Sequence, residues 1–565
     1  MKILRNIVWL ILIVSGAACF NMNAQNMHKG VSPSWLKQAI FYQIYPQSYK
    51  DSNNDGIGDI QGIIGQLDYI KWLGVNAIWI NPCFESAYKD AGYDVIDYYK
   101  VGKRYGTNED LQRLFAEAHK RQIRVCLDLV PGHTSIESPW FQASQRKERN
   151  EYTDRYIWTN DSTLKPTKKF VSGHFERNGA YLKNFFDCQP ALNYGFANPD
   201  PAHPWEQPVT AEGPRKNKEE IMKIIDFWMD KGCDGFRVDM AHSLIKNDKD
   251  WVETDKFWHD VRLHMQQRHP EGILLSEWGD PSQSLKAGFT MDFIFQTSNS
   301  GYTQLFYNMI GKKIVDSSYF DLRGLGDPTI FANNLTIQLK AAKEYDGYIC
   351  VPTTNHDRQR PCCRARDTAP QLKTVMALLF TLPTVPLVYY GDEIGMKYRE
   401  GLPPKEGSVT VINRAGSRTP MQWGKGINAG FSNASPDQLY LPVDTMANFP
   451  NVETEKNDPS SLLSFTRTMI KIKKTNSALA TNGQIKFLLS KKQTYPLVYE
   501  RKSKDETIIV VINPSNKAED LFINYNGKIS KIVPIVQSPS CKLSYTGGKL
   551  HILSTAVSYG LYKVD

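Results

Sequence analysis

Between residues 39 and 391, short apolar runs alternate with longer segments whose apolar positions recur every three or four residues. The runs at 39–45, 77–80, 123–130, 235–238, 273–276, 292–295, 348–353 and 385–390 read as buried strands, and 60–73, 108–121, 218–229 and 251–267 as helices. Eight strands alternating with helices predict an α/β fold, a closed (β/α)8 TIM barrel whose active site lies at the C-terminal strand ends. Residues 134–208 break the alternation. They are polar, rich in Tyr, Phe and Asn, and too long for a loop in a compact domain, so they read as a subdomain inserted after strand 3. From residue 481 the pattern changes to short alternating runs broken by Asn, Gly and Lys, which predicts a C-terminal antiparallel β-sandwich domain over 481–565. The barrel is then assigned to 30–133 and 209–480.

Composition narrows this picture. The 565 residues include 12 Trp, 28 Tyr and 25 Phe, enough for large cores. The net charge of +9 is spread over 68 basic and 59 acidic residues with no long single-sign run, which argues for a mixed solvated surface and against a nucleic-acid footprint. Lys2 and Arg5 precede an apolar run over 7–18 that is too short to span a bilayer. Residues 1–24 therefore read as a signal peptide cleaved near Ala24-Gln25, and the protein as exported, periplasmic or extracellular. Lipidation at Cys19 is the minority alternative, because the large aliphatic residue expected three positions earlier is missing. No later segment reads as a membrane span. Cys126 and Cys233 fall in or beside apolar runs as buried thiols, whereas pairing among Cys362, Cys363 and Cys541 stays unassigned, and no His/Cys spacing suggests zinc.

Chemistry concentrates at a few positions. Asp51, Asn53, Asp55, Ile57 and Asp59, with Gly56 at the turn, follow the ligand spacing of a calcium loop, with magnesium as a substitute ion and a metal-free Asx/Gly turn as the alternative. The expected role is structural. Four strand ends carry polar clusters: Asp128 with His133, Arg237 with Asp239, Glu277 with Trp278, and His356 with Asp357. Arg237 and Asp239 are two apart in a strand and so share a face, where the cation is expected to keep the carboxylate ionised and its pKa low. Trp278 offers Glu277 an apolar wall that would keep it protonated. One ionised and one protonated carboxyl is what glycoside hydrolysis requires. A single such pair would read as a structural ion pair, but four clusters at one end of a barrel do not.

At these residues the chain resembles the α-amylase family, glycoside hydrolase family 13, from about residue 40 to the C-terminus. Asp128-Leu129-Val130-Pro131-Gly132-His133, the stretch 235–242, 274–277 and 353–357 look like its four signature regions. The resemblance implies a retaining mechanism with Asp239 as nucleophile, Glu277 as acid/base and Asp357 as transition-state stabiliser. It places Tyr93, Asp94, His133, Arg237 and His356 around the attacked glucose. The loop 51–59, Gln189 to Asn193 and Arg418-Thr419-Pro420-Met421-Gln422-Trp423 are similar to the oligo-1,6-glucosidase, α-glucosidase and trehalose synthase branch, with Arg418 and 421–423 read as structural. Arg414 matches an arginine that in exo-acting relatives pairs with the aspartate of Gly-Tyr-Asp, here Asp94. The implied substrate is a malto- or isomalto-oligosaccharide cleaved from its end. Endo-acting amylase, trehalose synthase or another transglucosidase, and a catalytically silent glycan-binding relative remain as alternatives. The chain departs from the family at Gly132 (usually Asn), at Ala191 (usually an acid) and at Met240, where 1,6-acting relatives tend to carry Val and 1,4-acting ones Thr or Ala; linkage preference is left open.

Overall fold

A computed structural model describes residues 32–294, 300–306, 308–310, 313–315, 318–410 and 412–565. The expected signal peptide and Cys19 lie outside them. Eight parallel strands close into a barrel: β1 (Phe41–Ile44), β2 (Ala77–Ile80), β3 (Arg124–Leu129), β4 (Gly235–Val238), β5 (Ile273–Ser276), β6 (Met291–Phe293), β7 (Tyr348–Pro352) and β8 (Val385–Tyr389). They run in sequence order around the barrel, and β8 returns to pair with β1. Nearly all their residues are buried, as expected for parallel strands covered on both faces, which explains why they read as continuous apolar runs. Amphipathic helices such as Asn108–Lys120, capped by a reciprocal Thr107/Asp110 box, form the outer layer.

Residues 134–208 hold a short helix (Pro139–Ser144), a two-stranded ribbon (Phe170–Val171 with Tyr181–Leu182) and a small core of Ile157, Phe196 and Trp205. The segment is stitched back onto the barrel rim by bridges such as His133 with Ala191. The C-terminal domain has eight strands, β9 (Gln484–Leu489), β10 (Leu497–Lys502), β11 (Thr507–Asn513), β12 (Glu519–Asn524), β13 (Ile532–Gln537), β14 (Cys541–Thr546), β15 (Lys549–Ser554) and β16 (Ser558–Val564). A five-stranded antiparallel sheet (β9-β10-β11-β16-β13) faces a three-stranded one (β12-β15-β14) across Val498, Ile509, Val511, Leu550 and Ile552. The other face of the larger sheet, with Leu497, Tyr499, Ile508 and Val510, joins the barrel core. Arg501, fully buried, donates there to the main-chain oxygens of Thr381 and Ala480. The eight described cysteines, Cys362, Cys363 and Cys541 among them, are all free. Among the described residues no helix is long and apolar enough to cross a membrane.

One glycine controls how closely β4 and β5 approach. Gly235 has φ +152°, and a Cβ there would lie 2.4 Å from the main-chain oxygen of Ile273 on β5. Gly235→Ala is expected to cost about 2–3 kcal/mol, since the clash is with backbone that cannot yield without shifting a strand. A urea titration that finds the variant as stable as the parent would contradict this.

Candidate active site

Strand register assembles the site. Asp128 on β3 is the Cα partner of Arg237 on β4, and Val238 pairs with Ser276 on β5, so Asp239 and Glu277 follow side by side at adjacent strand ends. Arg237 is 1% exposed and binds three carboxylates. Its Nη1 donates to Asp128 Oδ1 at 2.9 Å and Asp239 Oδ1 at 3.0 Å, and its Nη2 lies 2.6 Å from Glu277 Oε2. Asp128 is further held by Trp79 Nε1–H and the Tyr93 hydroxyl.

The electrostatics differ from the sequence expectation at Asp239. Burial, then the Glu277 carboxylate, push its pKa well above the usual carboxylate range, and Arg237 offsets only part of this because it is shared among three acids. Asp239 and Glu277 are in hydrogen-bond contact, and a proton on Asp239 relieves the repulsion. Trp278 does stand beside Glu277 in the pocket wall, and the main-chain N–H of Met240 donates to Glu277 Oε2 at 3.1 Å. Met240 itself is in the left-handed region at φ +43°.

Asp357 is the opposite case. Burial raises its pKa, but contact with the His356 ring at 3.4 Å and the charges of Arg414 and Arg418 outweigh that and hold it well below the ordinary range. Arg414 Nη1 is 2.7 Å and Arg418 Nη2 3.1 Å from Asp357 Oδ1. Arg418, read from sequence as structural, thus contacts the carboxylate directly. His356 receives the amides of Gln43 and Asn81 at Nδ1 and presents Nε2 to the Tyr93 hydroxyl at 2.8 Å. Burial lowers its pKa far below that of a free imidazole, so the ring is neutral. The pKa of His133, likewise buried, is lowered to about 4.

The expected Asp94–Arg414 pair is not formed. Asp94 is fully buried, and its carboxylate accepts from Ser86 Oγ and from the main-chain N–H groups of Lys89 and Asp90. It shapes the 86–94 loop and is not among the residues that line the cavity with Asp239 and Glu277. The partner of Arg414 is Asp90, at 3.2 Å, which also accepts from Gln189 Nε2. Ala91 and Gly92, both at positive φ, turn the chain so that carboxylates four residues apart end on different sides. That turn is what the motif alone did not resolve.

The remaining residues expected at the site meet in one cavity of 260 Å³, near the lower end of ordinary ligand pockets at about 300–1,000 Å³. Asp90, Tyr93, His133, Asp239, Glu277, Asp357 and Arg414 line it, with Phe185, Met240, His242 and Trp278 on the apolar side. Arg237 stands directly behind the acids. Phe185, on the inserted segment, had no distinguishing signal among the many aromatics there. The loop 51–59 lies outside this cavity and is held by its own hydrogen bonds: Asp51 accepts from the N–H groups of Asn53, Asn54 and Gly56 and from Ser432 Oγ, and Asp59 caps the helix Ile60–Gly65. Among the described residues, no three His, Cys, Asp or Glu side chains are grouped as a metal site.

Residues 43–482 match the family model described as alpha amylase, catalytic domain. The chain belongs to the α-amylase family of glycoside hydrolases and transglucosidases. It is 32% identical over 486 residues to a trehalose synthase/amylase of Mycolicibacterium smegmatis, covering 79% of this chain and 77% of the relative. It is 31% identical over 538 residues to an oligo-1,6-glucosidase of Heyndrickxia coagulans, covering 85% and 92%. A crystal structure of a trehalulose synthase from Pseudomonas mesoacidophila superposes with TM-score 0.75 at 25% identity, covering 94% of this chain and 99% of that one.

Burial raises Asp90, Asp128 and Asp392 to about 6, and Asp292 and Glu393 to about 7. A carboxyl whose folded pKa exceeds its unfolded value, about 4, contributes stability that is complete below the unfolded pKa and lost as pH rises through the folded one. The thermal midpoint is therefore expected to be higher at pH 5 than at pH 8, with Glu393→Gln reducing the difference. A midpoint that rises steadily from pH 5 to pH 8 would show that other groups govern stability.

Proposed function

We propose that the protein is an exported, retaining α-glucosidase that removes terminal glucose from malto- or isomalto-oligosaccharides. The observation that carries this reading is the single guanidinium of Arg237 bonded to both Asp239 and Glu277. Two carboxylates on one guanidinium are too close to leave room for a water between them, which is the spacing of a retaining enzyme, about 5–5.5 Å, not an inverting one. Asp239 attacks the anomeric carbon while Glu277 gives its proton to the departing glycosidic oxygen, leaving a glucosyl ester on Asp239. Glu277 then takes a proton from water, whose oxygen attacks the same carbon and frees Asp239 with the original anomeric configuration. Asp357, held ionised by two arginines, stabilises positive charge developing on the sugar ring.

The Asp90–Arg414 pair supports the exo mode. It puts a buried charged pair into the wall of a small cavity, where it can hold the hydroxyls of a terminal glucose but leaves no path for a chain to continue. A second reading, transglucosylation or isomerisation, is favoured by the trehalose synthase/amylase relatives. It differs only in that a sugar hydroxyl replaces water in the second step. A structural calcium in the 51–59 loop belongs to the same proposal. The donor set is all oxygen, and the turn a cation needs is formed at Gly56, at φ +89° with its N–H on Asp51. Asp51, Asn53, Asp55, Asp59 and the Ile57 carbonyl would hold it.

Incubation with maltose, isomaltose, panose and maltoheptaose is expected to release glucose from the first additions onward. Shorter maltodextrins released internally from maltoheptaose would instead identify an endo-amylase, and trehalose formed from maltose would identify the isomerase. Asp90→Ala is expected to lower kcat/KM on maltose about a hundredfold by removing one of the two carboxylates that hold Arg414 in the pocket. Chelation followed by calcium return is expected to lower and then restore the thermal midpoint; no change on chelation would remove calcium from the account.

A further inference from the structure

Gly132 and Asn184 come from different parts of the fold, the end of β3 and the inserted segment, yet they share one volume. A Cβ on Gly132 would lie 2.6 Å from Asn184 Nδ2, with the next neighbours at 3.6 Å and beyond. The backbone at Gly132 needs no positive φ, so glycine is not required there for conformational reasons. What its missing side chain leaves room for is the Asn184 amide. That amide lies 2.9 Å from His133 Nδ1 in the pocket wall and 4.0 Å from the sulfur of Met240, the residue after Asp239. The other ring nitrogen of His133, Nε2, faces the main-chain oxygen of Tyr93 at 3.1 Å. A carbonyl can only accept, so Nε2 carries the proton and Nδ1 accepts from the Asn184 N–H.

We propose that Asn184 is a positioning residue that locks His133 as its Nε2–H form against the pocket and fixes Met240 beside the nucleophile, and that Gly132 is the space the lock requires. Asn184 spans three elements at once: the inserted segment, the end of β3 and the turn that follows β4. The inserted segment thereby reaches the sugar-binding wall through a neutral, directional hydrogen bond. Burial is what lowers the pKa of His133, and an N–H aimed at Nδ1 opposes protonation in the same direction. The effect on turnover rests on the function proposed above, since it acts through a residue facing the sugar. The tautomer does not.

The test compares Asn184→Ala, Gly132→Ala and the double variant for kcat and KM on a nitrophenyl α-glucoside. In parallel, the imidazole nitrogen shifts of His133 are read in unliganded protein labelled with nitrogen-15 histidine and assigned through His133→Gln. The parent is expected to show the Nε2–H tautomer. Each single variant is expected to lose about tenfold in kcat/KM, mainly through KM, and the double variant no more than either single, because both remove the same contact. Asn184→Asp keeps the shape but turns donor into acceptor, and with the Tyr93 carbonyl still at Nε2 it is expected to leave His133 protonated at both nitrogens. A His133 spectrum unchanged in Asn184→Ala and Asn184→Asp would overturn the proposal. So would a Gly132→Ala cost as large in the Asn184→Ala background as alone. A protein inactive on every glucoside would refute the proposed function, while the spectra would still decide the lock.

Discussion

The site depends on one buried guanidinium. Arg237 sits between the ends of β3, β4 and β5 and is the common partner of Asp128, Asp239 and Glu277. Three carboxyl groups could not be buried together without it, and one cation cannot fully neutralise all three. The remaining charge is relieved by the raised proton affinity of Asp239 and by neutral donors on Asp128, namely Trp79 and Tyr93. An incompletely compensated carboxyl pair is also what an acid/base and nucleophile pair needs. Stability is given up at the same place where reactivity is gained.

Across the cavity the balance is reversed. Asp357 has two arginines and a neutral histidine, and is held firmly ionised. Arg414 belongs to both sides of this arrangement, since it also meets Asp90. The pocket therefore contrasts Asp239, whose proton affinity is raised, with Asp357, which is held charged. Its apolar lining residues are Phe185, Met240 and Trp278.

Much of this was legible in the sequence, for identifiable reasons. All eight barrel strands were visible because parallel strands buried on both faces leave unbroken apolar runs, and the acids were visible because they stand at the ends of those runs. The pairing of Arg414 was misread. Asp90 and Asp94 are equivalent in composition, and only the turn at Ala91-Gly92 decides which faces the pocket. The protonation of Asp239 was also misread, because an Arg two residues away looks like a private partner until the register shows it shared with β3 and β5. Asn184 gave no signal at all, since its role exists only through the empty space at Gly132. Local pattern reveals what a strand contributes, but contacts between the inserted segment and the rim depend on how two distant segments meet.

The central claim is that Asp239 forms a covalent bond to glucose while Glu277 handles the proton. Trapping with a fluorinated α-glucosyl fluoride, followed by digestion and mass spectrometry, tests it most directly. One added fluoroglucosyl group is expected on the peptide carrying Asp239, lost slowly as the enzyme reactivates. A label on Glu277 or Asp357, or turnover of the reagent with inverted configuration and no covalent adduct, would contradict it.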